Sequence, residues 1–188
     1  MRRIVVSMWT TLDGYVAGVD DEMDWLAPDD DMAAYETSLV MSAETLLLGR
    51  VTHADFAGAW PPIARDADQP PETRAYAQRV DEMPKIVASR SGAITDWDNT
   101  SRLDSLDRDT VAALKAAGDG IVVVYGSLAV IAALQRIGAV DQYDLLVHPT
   151  ALGAGKPLFT SGTRLQLVST EAFGSGVTLM RYTPAVGP

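Results

Sequence analysis

The run Leu46-Leu47-Leu48-Gly49-Arg50-Val51-Thr52-His53-Ala54-Asp55-Phe56 joins an apolar strand to the start of a helix, and the joint is a glycine followed by an arginine. The first turn of a helix carries N–H groups without intrahelical partners, and here they point off the strand's carboxyl end. With a guanidinium beside them, such donors suit a phosphate, which makes a nucleotide the leading ligand class. The plainer alternative is a glycine that only turns the chain from strand to helix.

The rest of the chain repeats that alternation. Ile4 to Met8 is a short apolar run suited to a buried parallel strand, and Trp9 to Pro28 is polar and rich in turn formers. Irregular stretches above roughly 12 to 15 residues in compact domains are often functional. A helix is expected from Asp31 to Ser42, then the strand Thr45 to Leu48 and a short helix after Gly49. Pro61, Pro62, Asp66, Asp68, Pro70 and Pro71 mark a surface excursion, and Pro71-Glu72 opens another helix. Lys85 to Ser89 is strand-like. Asp107 to Ala117 is helical, with Val111, Leu114 and Lys115 on one stripe and Gly118 as its stop. Ile121 to Tyr125 is the most strand-like run, and Ser127 is placed to cap a helix that Gly138 ends. Tyr143 to Val147 follows. Leu165 to Phe173 and Val177 to Tyr182, separated by Gly174-Ser175-Gly176, form a closing hairpin. The expected class is α/β: a mainly parallel sheet with helices on both faces and a C-terminal antiparallel hairpin.

At 188 residues and 47% hydrophobic, the chain is long enough for one well-buried core, so a single domain over 1–188 is expected. Fifteen Lys and Arg against 25 Asp and Glu give a net charge of -10 with no basic stripe, which argues against nucleic acid. Cysteine is absent, excluding disulfides and thiolate chemistry, and two separated histidines make no metal signature. The N-terminal apolar run is interrupted by Asp13-Gly14 before any cleavage pattern, and no run approaches the ~20 apolar residues that cross a bilayer. A cytoplasmic protein without a membrane partner is the expectation.

Right-handed crossovers place every strand-to-helix turn of such a sheet on one rim. Three turns therefore converge: Gly49-Arg50, Ser89-Arg90-Ser91 and Gly126-Ser127. Together they suit a ligand with several phosphates better than any one of them does.

The order of Leu12-Asp13-Gly14, LLLGRVTHADF, KIVASRS, VVVYGS and LLVHPTALGAGKPLF resembles the dihydrofolate-reductase-like family that includes the C-terminal reductase domain of the bifunctional riboflavin-biosynthesis deaminase-reductase. The resemblance covers nearly the whole chain. It implies a dihydrofolate-reductase-like fold, a homodimer, and NADPH as cofactor along the rim. By that resemblance Gly49, Arg50 and Thr52 lie beside the cofactor phosphates, and Ser89, Arg90 and Ser91 meet the adenosine ribose and its 2′-phosphate. Gly126, Ser127 and Leu128 hold the pyrophosphate. A guanidinium at Arg90 favours NADPH over NADH, with a solvated turn residue as the plain alternative. His53 stands where the family usually has tyrosine or tryptophan and reads as a helix-surface residue; Ser127 replaces a second glycine and adds a cap.

Reduction by a nicotinamide needs a stacked electrophilic carbon and a source of a proton. Asp13 is the candidate catalytic residue, as proton relay or substrate contact, although Asp-Gly is also an ordinary turn. Trp25 and Lys156 are further substrate-side candidates, Trp25 reading first as a packing aromatic and Lys156 as an attractor of a ribose phosphate. The glycines of Leu152 to Phe159 belong to no Walker loop, because Pro157 follows the lysine. With no G-x-S-x-G elbow and no P-C-x-x-C ligand set, hydrolase and zinc deaminase chemistry fall away. The expected activity is an NADPH-dependent reductase acting on a small heteroaromatic or ribosylamino-pyrimidine compound. A dihydrofolate or pterin reductase and a non-catalytic nucleotide sensor are the alternatives.

Overall fold

A computed structural model of the chain describes residues 1–27, 29–90 and 92–185. In chain order the elements are β1 (Arg3–Thr11), β2 (Tyr15–Ala17), α1 (Asp30–Ser42), β3 (Ala43–Gly49), α2 (Arg50–Arg65), α3 (Pro71–Glu82), β4 (Lys85–Ala88), β5 (Thr100–Leu103), α4 (Arg108–Ala116), β6 (Ile121–Tyr125), α5 (Leu128–Ile137), β7 (Gln142–His148), β8 (Lys156–Pro157), β9 (Leu165–Ala172) and β10 (Thr178–Pro184). Eight strands belong to one mostly parallel sheet with an antiparallel C-terminal pair, and β2 pairs separately with β8. No helix among the described residues is long and apolar enough to cross a membrane.

Contacts along the chain gather into two compact units. The first comprises Met1–Ile4 and Glu36–Ala139 and carries the strand order β5-β4-β3-β6. Its three pairings are parallel: β3 bonds β4 with Leu46 opposite Lys85 and Gly49 opposite Ala88, β3 bonds β6 with Leu46 opposite Val123, and β4 bonds β5. The centre strands are aliphatic because both faces are covered: Leu46, Leu47, Leu48, Val122, Val123 and Val124 are all buried. Arg2 closes the other end of this unit through Glu44, whose carboxylate also accepts from the Gly120 amide at 3.1 Å.

The second unit comprises Val5–Tyr35 and Val140–Pro188, with the order β1-β7-β10-β9. β1 and β7 run parallel, Val5 opposite Gln142 through Thr11 opposite His148. β7 to β10 and β10 to β9 are antiparallel, so the expected hairpin is present. Met32, Leu146, Phe173, Val177 and Leu179 form a buried cluster with Trp9 and Tyr35 packed against it.

Several expectations need correction. The helix after Gly49 is not short: α2 runs 16 residues and contains both Pro61 and Pro62. Proline loses an N–H and crowds the preceding turn. Packing holds that end helical, since Pro61 is buried and the Trp60 ring packs at a tilt against Tyr76 of α3 at 5.0 Å and edge-on to Phe56 at 5.9 Å. The segment from Trp9 is not one long loop. Buried Thr10 and Thr11 extend β1, and β2 follows, because β-branched polar residues still suit a pleated strand. β5 and β8 had no apolar signature at all.

Leu46 is fully buried and flanked by β4 and β6, so truncation there leaves a cavity between three paired strands. Leu46→Ala is expected to cost about 2 to 5 kcal/mol of stability, read as a lowered urea midpoint.

Candidate functional site

In the first unit the parallel registers bring the turns after β3, β4 and β6 to one edge. Gly49 lies beside Ala88, so Ser89 and Arg90 leave the sheet next to Gly49 and Arg50. Three residues beyond the Leu46–Val123 pair, Gly49 and Gly126 come level, and the Thr52 hydroxyl donates to the Gly126 carbonyl at 3.3 Å. A Cβ on Gly49 would sit 2.2 Å from Ser127 Oγ, so any larger residue there requires the serine side chain to move. The two turns are pressed together by that missing side chain.

Gly49 and Ser127 are the N-cap residues of α2 and α5, and neither makes a side-chain capping hydrogen bond. The expectation that Ser127 caps its helix is therefore wrong. Its hydroxyl lies against Gly49 instead, because the close approach of the β3 and β6 turns takes that space first. The result is two neighbouring helix N-termini whose N-cap residues make no side-chain capping bond, an arrangement with a local positive potential. Arg50 and Arg90 are exposed, and neither pairs with a carboxylate among the described residues. Ser89 is held by its amide, which donates to the Leu103 carbonyl at 3.0 Å. Leu128 opens α5. The first unit thus gathers Gly49, Arg50, Thr52, Ser89, Arg90, Gly126, Ser127 and Leu128, while Ser91 lies outside the described residues.

The second unit holds Asp13, Trp25 and Lys156. Both oxygens of Asp13 are engaged: Oδ1 accepts from the Thr11 hydroxyl at 2.6 Å and the Leu152 amide at 3.2 Å, and Oδ2 from the Gly153 amide at 2.7 Å. The Thr11 hydroxyl first, and then the Gly153 amide, hold this carboxyl below its ordinary value. It is an ionised acceptor that ties the glycine loop down. Gly155 in that loop is needed for packing, since a Cβ there would meet the Ala17 carbonyl oxygen at 2.3 Å. Lys156 forms an ion pair with Asp21.

Trp25 is buried and meets the ring of His148 edge-on, with centroids 5.1 Å apart. His148 Nδ1 accepts from the Ala27 amide at 3.1 Å, so the neutral ring carries its proton on Nε2. That Nε2 and Trp25 Nε1 have no hydrogen-bond partner among the described residues. Burial pushes the His148 pKa down, with Asp29 opposing. Asp29 itself accepts from the Ser175 amide at 2.8 Å.

His53 is not the surface residue its place in α2 suggested. It is fully buried, with Nε2 at 3.1 Å from Thr100 Oγ1 and its ring 5.4 Å from Trp97. Burial first, and the Lys85 charge second, lower its pKa. The polar strand β5 brings Thr100 to it, a pairing with no sequence signal. Lys85 is buried too, its ammonium 4.1 Å over the Trp97 ring and donating to the carbonyls of Asp81 and Met83 at 2.6 and 2.9 Å.

The sheet, its helices and its closing antiparallel pair make the dihydrofolate-reductase-like α/β fold, in the form found in reductase-like domains. More narrowly, the chain belongs to the RibD C-terminal domain family, whose sequence model matches residues 2–179. It is 32% identical over 184 residues to YyaP, an uncharacterized protein of Bacillus subtilis, spanning 96% of this chain and 94% of that one. Identity to YwjB, also uncharacterized and from Bacillus subtilis, is 24% over 182 residues, 95% of this chain and 96% of the other. Among solved structures, a pyrimidine reductase-like protein of Corynebacterium diphtheriae superposes with a TM-score of 0.62 at 15% identity, covering 99% of this chain and 93% of that one. The diaminohydroxyphosphoribosylaminopyrimidine deaminase/5-amino-6-(5-phosphoribosylamino)uracil reductase of Thermotoga maritima gives 0.65 at 16%, covering 98% of this chain and 57% of its own. At such identities the structural likeness concerns the fold. Membership of the family makes this a reductase-like domain.

Both histidines have folded pKa values below 6.5, so the unfolded chain takes up protons first as the pH drops. Their contribution to stability is complete above about pH 6.5 and declines as the pH falls through that value towards the folded pKa values. The urea midpoint should therefore fall between pH 8 and pH 5.5, and His148→Gln should flatten that decline; an unchanged slope in the variant refutes the assignment to His148. Separately, Gly49→Ala forces a methyl into Ser127 and should cost about 1 to 3 kcal/mol in thermal unfolding. Adding Ser127→Gly should recover most of the loss.

Proposed function

We propose that this protein is an NADPH-dependent reductase transferring hydride to a small heteroaromatic or ribosylamino-pyrimidine-like substrate, in the manner of a 5-amino-6-(5-phosphoribosylamino)uracil reductase. One observation carries the reading: the uncapped N-termini of α2 and α5 meet at Gly49 and Ser127 in the first unit. The reductase-like family and the named activity of the Thermotoga maritima protein support it.

The donor set fits a polyanionic nucleotide. In a chain of net charge -10, Arg50 and Arg90 stand unpaired with any described carboxylate at the same edge as two positive helix ends. Gly49, Arg50 and Thr52 would hold cofactor phosphates, Gly126, Ser127 and Leu128 the pyrophosphate, and Ser89 and Arg90 the adenosine ribose with its 2′-phosphate. When bound, the cofactor supplies a hydride for a C=N or C=O carbon.

In the second unit, Asp13 serves as an acceptor that orients the Leu152-Gly153 loop and contacts the substrate. As a proton relay it would need protonation that Thr11 and the two amides oppose. Trp25 contributes buried aromatic surface, and Lys156 could receive a substrate phosphate only by leaving Asp21. The occupied Asp13 also favours a second reading, a nucleotide-binding protein without turnover.

Titrating NADPH by its fluorescence, then following its absorbance with pterin, pyrimidine and quinone substrates, separates the two. Tight binding with oxidation on a pyrimidine supports the reductase; binding with no oxidation across the panel supports the sensor; no binding removes both. Arg50→Ala should weaken NADPH by roughly 10- to 100-fold, about 1 to 3 kcal/mol, and an unchanged dissociation constant contradicts its role.

The reading extends to a cytoplasmic homodimer. β9 ends the strand order with Leu167 and Val168 exposed, an edge suited to burial against a second copy. Light scattering at a single-chain mass would contradict this.

A further inference from the structure

β5 is a short polar strand at the end of the strand order in the first unit, and one of its residues reaches back across the loop that follows β4. Arg102, opposite Val87 in the parallel register, donates from Nε to the Ser89 carbonyl at 3.0 Å and from Nη1 to the Gly92 carbonyl at 3.1 Å. Those two carbonyls bracket Arg90. The Ser89 amide donates to the Leu103 carbonyl at 3.0 Å, so Ser89 is held at both its N–H and its C=O by consecutive residues of β5.

A guanidinium is a rigid planar fork, so two bonds from one group fix the spacing of the two carbonyls as well as their distance from the strand. An ammonium, a point charge on a flexible stem, cannot impose that spacing. Arg102 also has a carboxylate beside it: its Nε lies 2.7 Å from Oδ1 of exposed Asp104. With a carboxylate at hand and two of its nitrogens taken by carbonyls, Arg102 is better suited to holding the Ser89 and Gly92 backbones than to meeting an anion itself. Arg90, exposed and with no described carboxylate partner, has the opposite properties. The loop thus has one arginine built into its frame and one presented from it.

We infer that Arg102 is a positioning residue that holds the Ser89 and Gly92 backbones so that Arg90 meets the 2′-phosphate, and thereby sets the preference for NADPH over NADH. The inference rests on the cofactor reading given above. A phosphate contact by an exposed arginine costs less when the backbone that carries the arginine does not have to be ordered on binding. Arg102 supplies that order in advance through backbone carbonyls, without touching the ligand.

The test uses the full chain and four proteins: wild type, Arg102→Ala, Arg102→Lys and Arg90→Ala. Each is titrated with NADPH and with NADH by fluorescence, and amide hydrogen exchange around residues 89–92 is measured without cofactor. Wild type should prefer NADPH. Arg90→Ala should abolish that preference. Both Arg102 variants should lose about tenfold in NADPH affinity while NADH binding stays within about twofold, and their loop amides should exchange faster. A role confined to stabilising the β4–β5 pair would weaken the two coenzymes alike. Arg102→Lys is the variant to rely on if Arg102→Ala folds poorly.

Wild-type preference retained in Arg102→Lys overturns the inference, because charge alone would then suffice. Unchanged loop exchange in both Arg102 variants overturns it as well, as does NADPH preference surviving in Arg90→Ala. Equal binding of both coenzymes by wild type overturns it while leaving the nucleotide site intact. A wild type that binds neither coenzyme overturns the cofactor reading itself, and the inference with it.

Discussion

Parallel hydrogen bonding of β3 to β4 on one side and to β6 on the other is the constraint from which the first unit's chemistry follows. Parallel neighbours end at the same edge, so the turns into α2 and α5 and the loop after β4 have no choice but to emerge together. The aliphatic strands make this arrangement stable, since Leu46 to Leu48 and Val122 to Val124 can be buried only between covered faces. Burial of the strands and convergence of the polar turns are two consequences of one pairing pattern. Gly49 completes it. Without a side chain, its backbone comes close to the Ser127 hydroxyl, which makes no cap bond to its own helix, so two uncapped first turns lie side by side.

In the second unit, charged groups are spent on holding loops. Asp13 fastens the Leu152-Gly153 segment, Asp29 takes the Ser175 amide, and neutral His148 takes the Ala27 amide. Each of these bonds requires one protonation state, the carboxylates ionised and the imidazole neutral, so loop geometry and pH are coupled throughout this unit. In the first unit paired and buried charges are present too, in Arg2–Glu44 and in buried Lys85, but Arg50 and Arg90 are exposed with no carboxylate partner among the described residues. A carboxylate already engaged by a hydroxyl and two backbone amides is a good orienting acceptor and a poor proton shuttle, which is the physical basis for Asp13 as a loop anchor.

Legibility in the sequence followed the strength of each local signal. Apolar runs located β1, β3, β4, β6 and β7, and glycine-punctuated alternation located the β9–β10 hairpin. Asp107 and Gly138 marked the ends of α4 and α5 as their side-chain chemistry requires. What failed was everything stabilised from a distance. Pro61 and Pro62 look like a break, yet aromatic packing of Trp60 on Tyr76 keeps them helical. Thr100 to Leu103 shows no strand pattern because its stability comes from backbone bonds to β4. His53 looks solvated because nothing near it in sequence reveals Trp97 and Thr100.

By itself the sequence determined the alternation of elements, the class of sheet, and the residue types at each turn, because periodicity, glycine conformation and helix-end chemistry act over a few residues. Tertiary structure alone decided which of those residues are free. Arg102 and Asp13 are spoken for by backbone groups distant along the chain or on another strand, while Arg90 and Arg50 are left without a carboxylate partner among the described residues. A hydrogen bond between residues far apart in sequence depends on strand order and register, and those are set by the burial of the whole core rather than by any segment of it.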